Sequence, residues 1–168
     1  MRAPVAIPCC ACNIIFMQAG AQDSPVHRRL IDTLYVEAMV LADDARSYFD
    51  DGGREEREAL APMARVTFSC ESLKVTTRLM HVIAWLLIQR AVLAGELAEG
   101  DALDPARRLG DAPVTDAATI AELPDMARGL VISSMDIHRR VAWLDKAQAN
   151  MVPESPARQM MQRLATAF

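Results

Sequence analysis

The sequence lacks the short motifs that mark many enzymes and nucleotide-binding proteins. It has only seven glycines in 168 residues, and none of them builds a glycine-rich phosphate loop. It contains neither the HExxH motif of zinc proteases nor the GxSxG motif of serine hydrolases. These absences predict a protein that is not an enzyme and that uses no cofactor.

Basic runs and long apolar runs are also missing. The formal net charge is −4, and the basic residues form only isolated pairs such as Arg107-Arg108 and Arg139-Arg140. A nucleic-acid-binding domain usually carries a basic face, so we expect no nucleic acid partner. The most apolar stretch, residues 79–94, contains polar residues and is shorter than the roughly 20 residues that span a membrane, so we expect no membrane insertion.

Cysteines are few and unevenly placed. Cys9, Cys10 and Cys12 crowd the first residues, and Cys70 stands alone in a helical pattern. A disulfide framework would distribute pairs across the fold, so a reducing cytoplasm is the expected location. We interpret residues 1–23 as an unstructured leader. A soft-metal site at its three cysteines is the alternative, although the spacing lacks the second ligand pair that zinc needs.

Helix-forming composition is what the sequence has in abundance. It is 52% hydrophobic and rich in Ala, Leu, Met, Arg and Glu, which lose little on entering a helix. Apolar residues recur at helical spacing in three long segments, 25–50, 62–94 and 124–149. We therefore predict an all-α, antiparallel three-helix bundle over residues 24–149, running up-down-up.

The remaining segments of the chain lack this helical pattern. Residues 96–122 are a long connection between the second and third helices, with only a short helical turn near 116–122. Residues 150–168 form a flexible or short helical tail after the bundle. The tail has an apolar stripe that suits docking on a partner in the helix-in-groove mode, and its candidate partner-binding residues are Met160, Met161, Leu164 and Phe168.

One side of the second helix carries a polar stripe, part of which should be buried. The stripe consists of Thr67, Glu71, Lys74, Arg78, His81 and Gln89. On the first helix, Glu37 lies between apolar positions. Counting equal distances from the turn places it level with Arg78, so we predict a partly buried ion pair between Glu37 and Arg78.

The histidines offer two alternatives to a pure binding role. His81 and His138 could face each other and bind a metal, although two histidines without further ligands rarely do so. His81 could instead be the acceptor of a histidine phosphotransfer module, but its neighbours Val82 to Trp85 are too apolar for a phosphorylated face. A structural dimer with an unknown small ligand is a third possibility, which a thermal-shift screen would test.

Two segments carry a family resemblance. "LYVEAMVLADDARSYFD" (34–50) and "RVTFSCESLKVTTRLMHVIAWLLIQRAVLAGE" (65–96) resemble the RcdA family, the regulators of CtrA degradation of alphaproteobacteria. The resemblance covers residues 26–96 strongly. It continues more loosely through "RRLG" (107–110) and "LPDMARGLVISSMDIHRRVAWLD" (123–145).

The resemblance implies a function that the pattern alone would not give. It implies a dimerising three-helix bundle that acts as an adaptor in the proteolysis of cell-cycle regulators such as CtrA by ClpXP, together with CpdR-like and PopA-like proteins. It brings no catalytic residues. We expect a homodimer in the cytoplasm, with recruitment to a cell pole left open, and we add Arg107 and Arg108 to the candidate partner-binding residues.

Overall fold

The computed structural model describes residues 24–151, and every regular element within them is helical. In chain order the helices are α1 (Pro25–Ser47), α2 (Arg54–Ala59), α3 (Pro62–Leu93), α4 (Glu99–Ala102), α5 (Ala117–Glu122) and α6 (Asp125–Met151). A π-helical turn, Tyr48–Gly52, extends α1, and a 3₁₀ turn, Pro105–Arg107, follows α4. The three long helices α1, α3 and α6 confirm the predicted all-α bundle.

The helix boundaries follow from local chemistry. The Ser24 hydroxyl accepts a hydrogen bond from the Val26 amide at 3.3 Å, and Pro25 occupies the first turn of α1. Pro62 opens α3. A backbone N–H in the first turn of a helix has no helical acceptor, so the lack of one in proline costs nothing there. Gly95 follows the end of α3 with φ at +73°, a left-handed conformation that glycine adopts without strain.

Helices α1 and α3 are antiparallel, as expected. Arg28, in the first turn of α1, donates a 2.7 Å hydrogen bond to the carbonyl of Leu93 at the end of α3. At the other end of the pair, the rings of Phe49 and Phe68 meet edge to face with their centroids 5.4 Å apart. The two helices therefore bury one continuous seam.

The direction of the third long helix corrects the up-down-up expectation. Along α3, Arg78 and Trp85 bond to Ser134 and Asp145 of α6, in that order, at 3.3 and 2.9 Å. Residue numbers rise together on both helices, so α3 and α6 are parallel and the bundle runs up-down-down. Antiparallel packing is the rule only for helices joined by short connections. The connection between α3 and α6 is long enough to bring the chain back along the whole bundle.

That return path is residues 108–116, which we call the strap. Its residues 109–116 form no helix and lie in the groove between α3 and α6. Arg108 bonds to Asp145 near the end of α6, and Thr115 bonds to Glu71 in the first half of α3. The strap therefore runs antiparallel to both helices and fills the seam that two parallel helices leave open.

The core lies where α1, α3 and α6 meet. Its fully buried members include Ile31, Leu34, Ala38, Phe68, Val75, Val82, Trp85, Leu86, Val131, Ile137 and Val141. Of the two apolar stripes that the sequence shows on α3, the one containing Phe68 and Val75 is buried in this core. The other, with Leu73 and Met80, is exposed. Within residues 24–151, no helix is both long and apolar enough to cross a membrane.

Candidate protein-interaction site

An apolar groove between α1 and α6 is the strongest candidate for binding another protein because of the side chains that line it. Its volume is about 440 Å³, and it is lined by Leu30, Leu34, Arg139, Arg140, Trp143 and Leu144. Trp143 is 70% exposed, which is unusual for the largest side chain in a protein. Tryptophan and arginine dominate the residues that carry binding energy at protein interfaces. The groove therefore has the composition of a docking site.

Charged side chains fix one wall of this groove. Arg140 donates two hydrogen bonds, at 2.6 and 2.8 Å, to the two carboxylate oxygens of Glu37 on α1. The hydrogen bond to Glu37, opposed by burial, raises the pKa of the Arg140 guanidinium. Arg139 pairs with Asp136 one turn earlier and leaves its side chain 79% exposed. The groove thus presents an arginine held by Glu37 beside a more exposed one, next to an exposed indole.

The polar stripe of α3 is buried beneath the strap. Glu71 and Arg78 are 2% and 1% exposed. Thr115 of the strap donates a 2.7 Å hydrogen bond to Glu71 and accepts one of 2.6 Å from Arg78. Arg78 also donates to the carbonyl of Pro113, at 2.8 Å, and to Ser134. Burial lowers the pKa of Arg78, and the charge of Glu71 acts in the opposite direction.

The predicted pair between Glu37 and Arg78 is corrected by these contacts. Glu37 faces α6 and pairs with Arg140, whereas Arg78 faces the strap. Counting from the turn assumed that Gly52, at the end of the first helix, lies level with Pro62, at the start of α3. Because Asp32 pairs with Arg90, Glu37 lies roughly two turns away from Arg78 along α3.

A second polar clamp holds the other end of the strap. Arg108 donates two 2.7 Å hydrogen bonds to the Asp145 carboxylate, and the indole of Trp85 donates a third at 2.9 Å. Burial raises the pKa of Asp145, but the hydrogen bonds from Arg108 and Trp85 outweigh it and hold that pKa below its ordinary value. Arg108, a candidate partner-binding residue, therefore holds the strap against α6. Arg107, the other candidate, is exposed and donates to the Asp101 carbonyl.

Two histidines, His81 of α3 and His138 of α6, lie against Gly110 of the strap. His138 makes a 2.9 Å hydrogen bond with the Gly110 carbonyl. A Cβ on Gly110 would come within 2.7 Å of the His81 ring. His81 is thus covered by the strap, which disfavours the phosphotransfer alternative. Among the described residues, no three His, Cys, Asp or Glu side chains are grouped closely enough to hold a metal ion.

Several candidate residues lie outside the described part of the chain. These are Cys9, Cys10 and Cys12 in the leader, and Met160, Met161, Leu164 and Phe168 in the tail. Sequence reasoning also missed one residue, Trp143. Its neighbour Leu144 belongs to the apolar stripe of α6 that packs against the core. A large aromatic residue next to that stripe, and not in it, was the sequence signal that could have identified Trp143 as exposed.

Within the described residues, the chain is thus an all-helical bundle. The strap fills the groove between α3 and α6, and Trp143 is exposed beside Arg139 and Arg140. A family model described as "Protein of unknown function (DUF1465)" matches residues 22–168. A crystal structure of RcdA from Caulobacter crescentus is similar, with 32% sequence identity and a TM-score of 0.59, over 71% of this chain and 90% of that one. No curated protein sequence matches. The chain therefore belongs to the DUF1465 family, and its resemblance to RcdA is confirmed.

Proposed function

We propose that this chain is a proteolytic adaptor that helps to deliver cell-cycle regulators such as a CtrA-like protein to the ClpXP protease. The similarity to RcdA, a regulator of CtrA degradation, supports a regulatory role in proteolysis. The ClpXP mechanism, the CpdR-like and PopA-like partners and a homodimeric state go further and belong to this proposal. We propose that the protein acts by binding and not by catalysis.

The groove at Trp143 is the observation that carries the proposal on the structural side. An adaptor needs a surface that binds a second protein, and an exposed indole between an aliphatic floor and two arginines is such a surface. The groove volume of about 440 Å³ is in the range that accommodates one or two side chains of a partner. We propose that a client or a partner adaptor inserts an apolar side chain here.

A reconstituted degradation assay tests the proposal. Purified ClpXP, a CtrA-like client, the CpdR-like and PopA-like proteins and this chain are mixed, and client loss is followed on gels. We expect the chain to accelerate degradation and Trp143→Ala to reduce that acceleration at least several-fold. The matched control is Val114→Ala, which removes apolar surface at a residue that is 83% exposed and outside the groove.

The outcomes of this assay separate the adaptor proposal from the choice of docking site. Because Trp143 is exposed, its replacement should leave the thermal unfolding midpoint nearly unchanged, so lost delivery would not reflect lost folding. No acceleration by the wild-type chain with any tested client would refute the adaptor proposal. Full acceleration by Trp143→Ala would refute only the groove as its docking site.

A further inference from the structure

The exposed side of α6 extends the Trp143 groove with apolar and basic side chains. Ile132, Arg139, Trp143 and Lys146 follow one another at spacings of seven, four and three residues, so they share one side of the helix. All four side chains are exposed, Ile132 by 50%. The indole of Trp143 therefore lies between two cations on the surface that borders the groove.

The first helix adds apolar surface and a further cation. Leu30, which lines the groove, is 41% exposed, and Val26, four residues earlier on the same side of α1, is 73% exposed. Arg29 is exposed next to Leu30. A partner that lies along the groove therefore meets apolar side chains on both helices, with basic residues at the margins.

The two carboxylates beside the groove are already occupied by its arginines. Glu37 accepts both hydrogen bonds from Arg140. Asp136 pairs with Arg139, and its Oδ2 lies 3.7 Å from Nη1 of Arg140. Each carboxylate is therefore neutralised within the chain, and neither is free to attract a basic partner.

Two cations beside the groove have no such partner. Within residues 24–151, neither Arg29 nor Lys146 forms an ion pair. Complementary charge speeds the encounter between two proteins and excludes partners of like charge. The groove therefore favours a partner with acidic side chains beside its apolar ones, although the chain as a whole has a net charge of −4.

The chain's own tail does not have this chemistry. Residues 152–168 contain two arginines, Arg158 and Arg163, and one acidic residue, Glu154, so their side chains carry a net charge of +1. This is the sign of the cations beside the groove. Like charges that meet across an interface are unfavourable, so a separate protein fits the groove better than the tail does.

The walls of the groove favour a helical partner over an extended one. Both walls are α-helices, α1 and α6, whose backbone N–H and C=O groups bond within the helix. An extended segment buried between them would find no backbone partner, and an unpaired buried backbone group is costly. A helix satisfies its own backbone and presents apolar residues at spacings of three and four.

We infer that the groove between α1 and α6 binds an amphipathic helix of a partner protein that carries acidic residues beside its apolar face. The inference rests on the proposed function and names the chemistry of the partner at that docking site. The apolar residues of the helix pack on Trp143 and Leu30. Its carboxylates, about one turn away, pair with Arg29 and Lys146.

Selection of peptides on the full chain tests this chemistry. A phage-displayed library of random peptides of about 16 residues, enough for four helical turns, is selected on the immobilised protein. Peptides that also bind Trp143→Ala are removed by counter-selection. We expect the remaining peptides to have apolar residues three and four apart and more Asp and Glu than Lys and Arg. Uncharged or basic peptides, or none that depend on Trp143, would overturn the inference.

The role of charge is measured with the tightest acidic peptide by fluorescence anisotropy. Salt is kept at about 0.15 M, where charges act over about 8 Å. Arg29→Gln and Lys146→Gln should each weaken binding about two- to five-fold, as expected for one exposed ion pair. The matched control is Arg46→Gln, which removes a 78% exposed arginine near the other end of α1 and should leave the dissociation constant unchanged.

A neutral version of the peptide completes the comparison. With its Asp and Glu replaced by Asn and Gln, Arg29→Gln and Lys146→Gln should no longer weaken binding, because the charges they pair with are gone. Equal losses for the Arg29 and Arg46 variants, or losses that persist with the neutral peptide, would refute pairing at the groove.

The remaining outcomes separate the tail and the adaptor proposal from this inference. A synthetic peptide of residues 152–168 should not displace the acidic peptide, and displacement at a similar concentration would make the tail the occupant and overturn the inference. A chain that accelerates client degradation but selects no acidic, Trp143-dependent peptide would refute this inference alone. Selection of such peptides by a chain that accelerates no degradation would support the inference and refute the adaptor proposal.

Discussion

Arg78 Nη2 lies 2.6 Å from the hydroxyl oxygen of Thr115, thirty-seven residues further along the chain, and both residues are buried. Thr115 in turn donates to Glu71, so a hydroxyl from the strap bridges two opposite charges of α3. Buried charges are tolerated only when they are paired and fully hydrogen-bonded. The strap therefore completes the α3 site and is held in place by it.

Removal of the buried cation should be costly. Arg78→Met keeps an unbranched apolar stem but removes the guanidinium, and it leaves Glu71 buried with only the partly exposed Lys74 as a positive partner. We expect a loss of about 3–5 kcal/mol in the free energy of unfolding, measured by urea denaturation. Arg46→Met, at a side chain that is 78% exposed, should cost less than about 1 kcal/mol. Equal losses for the two variants would contradict the burial argument.

Gly110 should tolerate no side chain. A Cβ there would meet the His81 ring at 2.7 Å, so Gly110→Ala must displace either the strap or the ring. We expect a loss of about 1–3 kcal/mol, which is typical of overpacking. Gly129→Ala, inside α6 with nothing within 4 Å, should instead stabilise the protein by about 0.5–1 kcal/mol. Thermal unfolding of the two variants would show opposite shifts, and shifts of the same sign would disprove the close approach.

Asp145 should make stability depend on acid pH. Its pKa is below the ordinary value in the folded state, so the unfolded chain binds its proton more readily. Its contribution is present above the unfolded pKa of about 3.9, and it is lost as pH falls through the folded pKa. Asp145→Asn should cost roughly 1.5–3 kcal/mol at pH 7. In urea denaturation this difference from wild type should shrink below about pH 4. The control Asp43→Asn, at an exposed residue, should cost little stability at pH 7.

Glu37 and Arg140 should show weak coupling. Their side chains are 43% and 42% exposed, and half-exposed pairs contribute about 0.5–1 kcal/mol even when the geometry is bidentate. A double-mutant cycle with Glu37→Ala and Arg140→Ala should return a coupling of that size. Glu37→Ala and Arg78→Ala should be additive, because the two residues have separate partners. Coupling above 1 kcal/mol in the second cycle would restore the pair predicted from the sequence.

The tail provides a prediction that separates delivery from folding. Deleting residues 155–168 should leave the circular dichroism and the dimer unchanged, because the bundle closes without them in the described residues. It should weaken client delivery in the degradation assay if the stripe around Leu164 docks on a partner. Full-rate delivery by the truncated chain would show that the tail has no docking role, and unfolding would make it part of the core.

The helices could be predicted from sequence because their ends are fixed by neighbouring residues. Pro62 and Gly95 bound α3 through backbone geometry alone, and the structure ends the helix within one residue of the expectation. Local signals of this kind need no knowledge of the rest of the chain. The sequence also led us to expect that part of the polar stripe is buried, but that expectation rested on Glu37 as the partner of Arg78, and it did not single out Glu71.

The direction of α6 and the partners of Glu37 could not be predicted in the same way. The residues between Gly95 and Asp125 carry no periodic pattern, so nothing local shows that they span the bundle from end to end. Once the strap is known, its role is clear, since its carbonyls and Thr115 bond to the charged residues of the polar stripe of α3. The exposure of Trp143 was hidden for a related reason, because it depends on how α1 and α6 are aligned.

The up-down-down course of the bundle brings its first and last turns to the same end. Arg28 bonds to the end of α3 through Leu93, and Gln148, near the end of α6, donates to Gln89 of α3 at 2.7 Å. A short linker joining residue 151 to residue 24, with new termini opened at the exposed Ala61, should therefore give a circular permutant that retains the same core. Fluorophores attached at residues 24 and 151 should likewise show efficient energy transfer within a single copy.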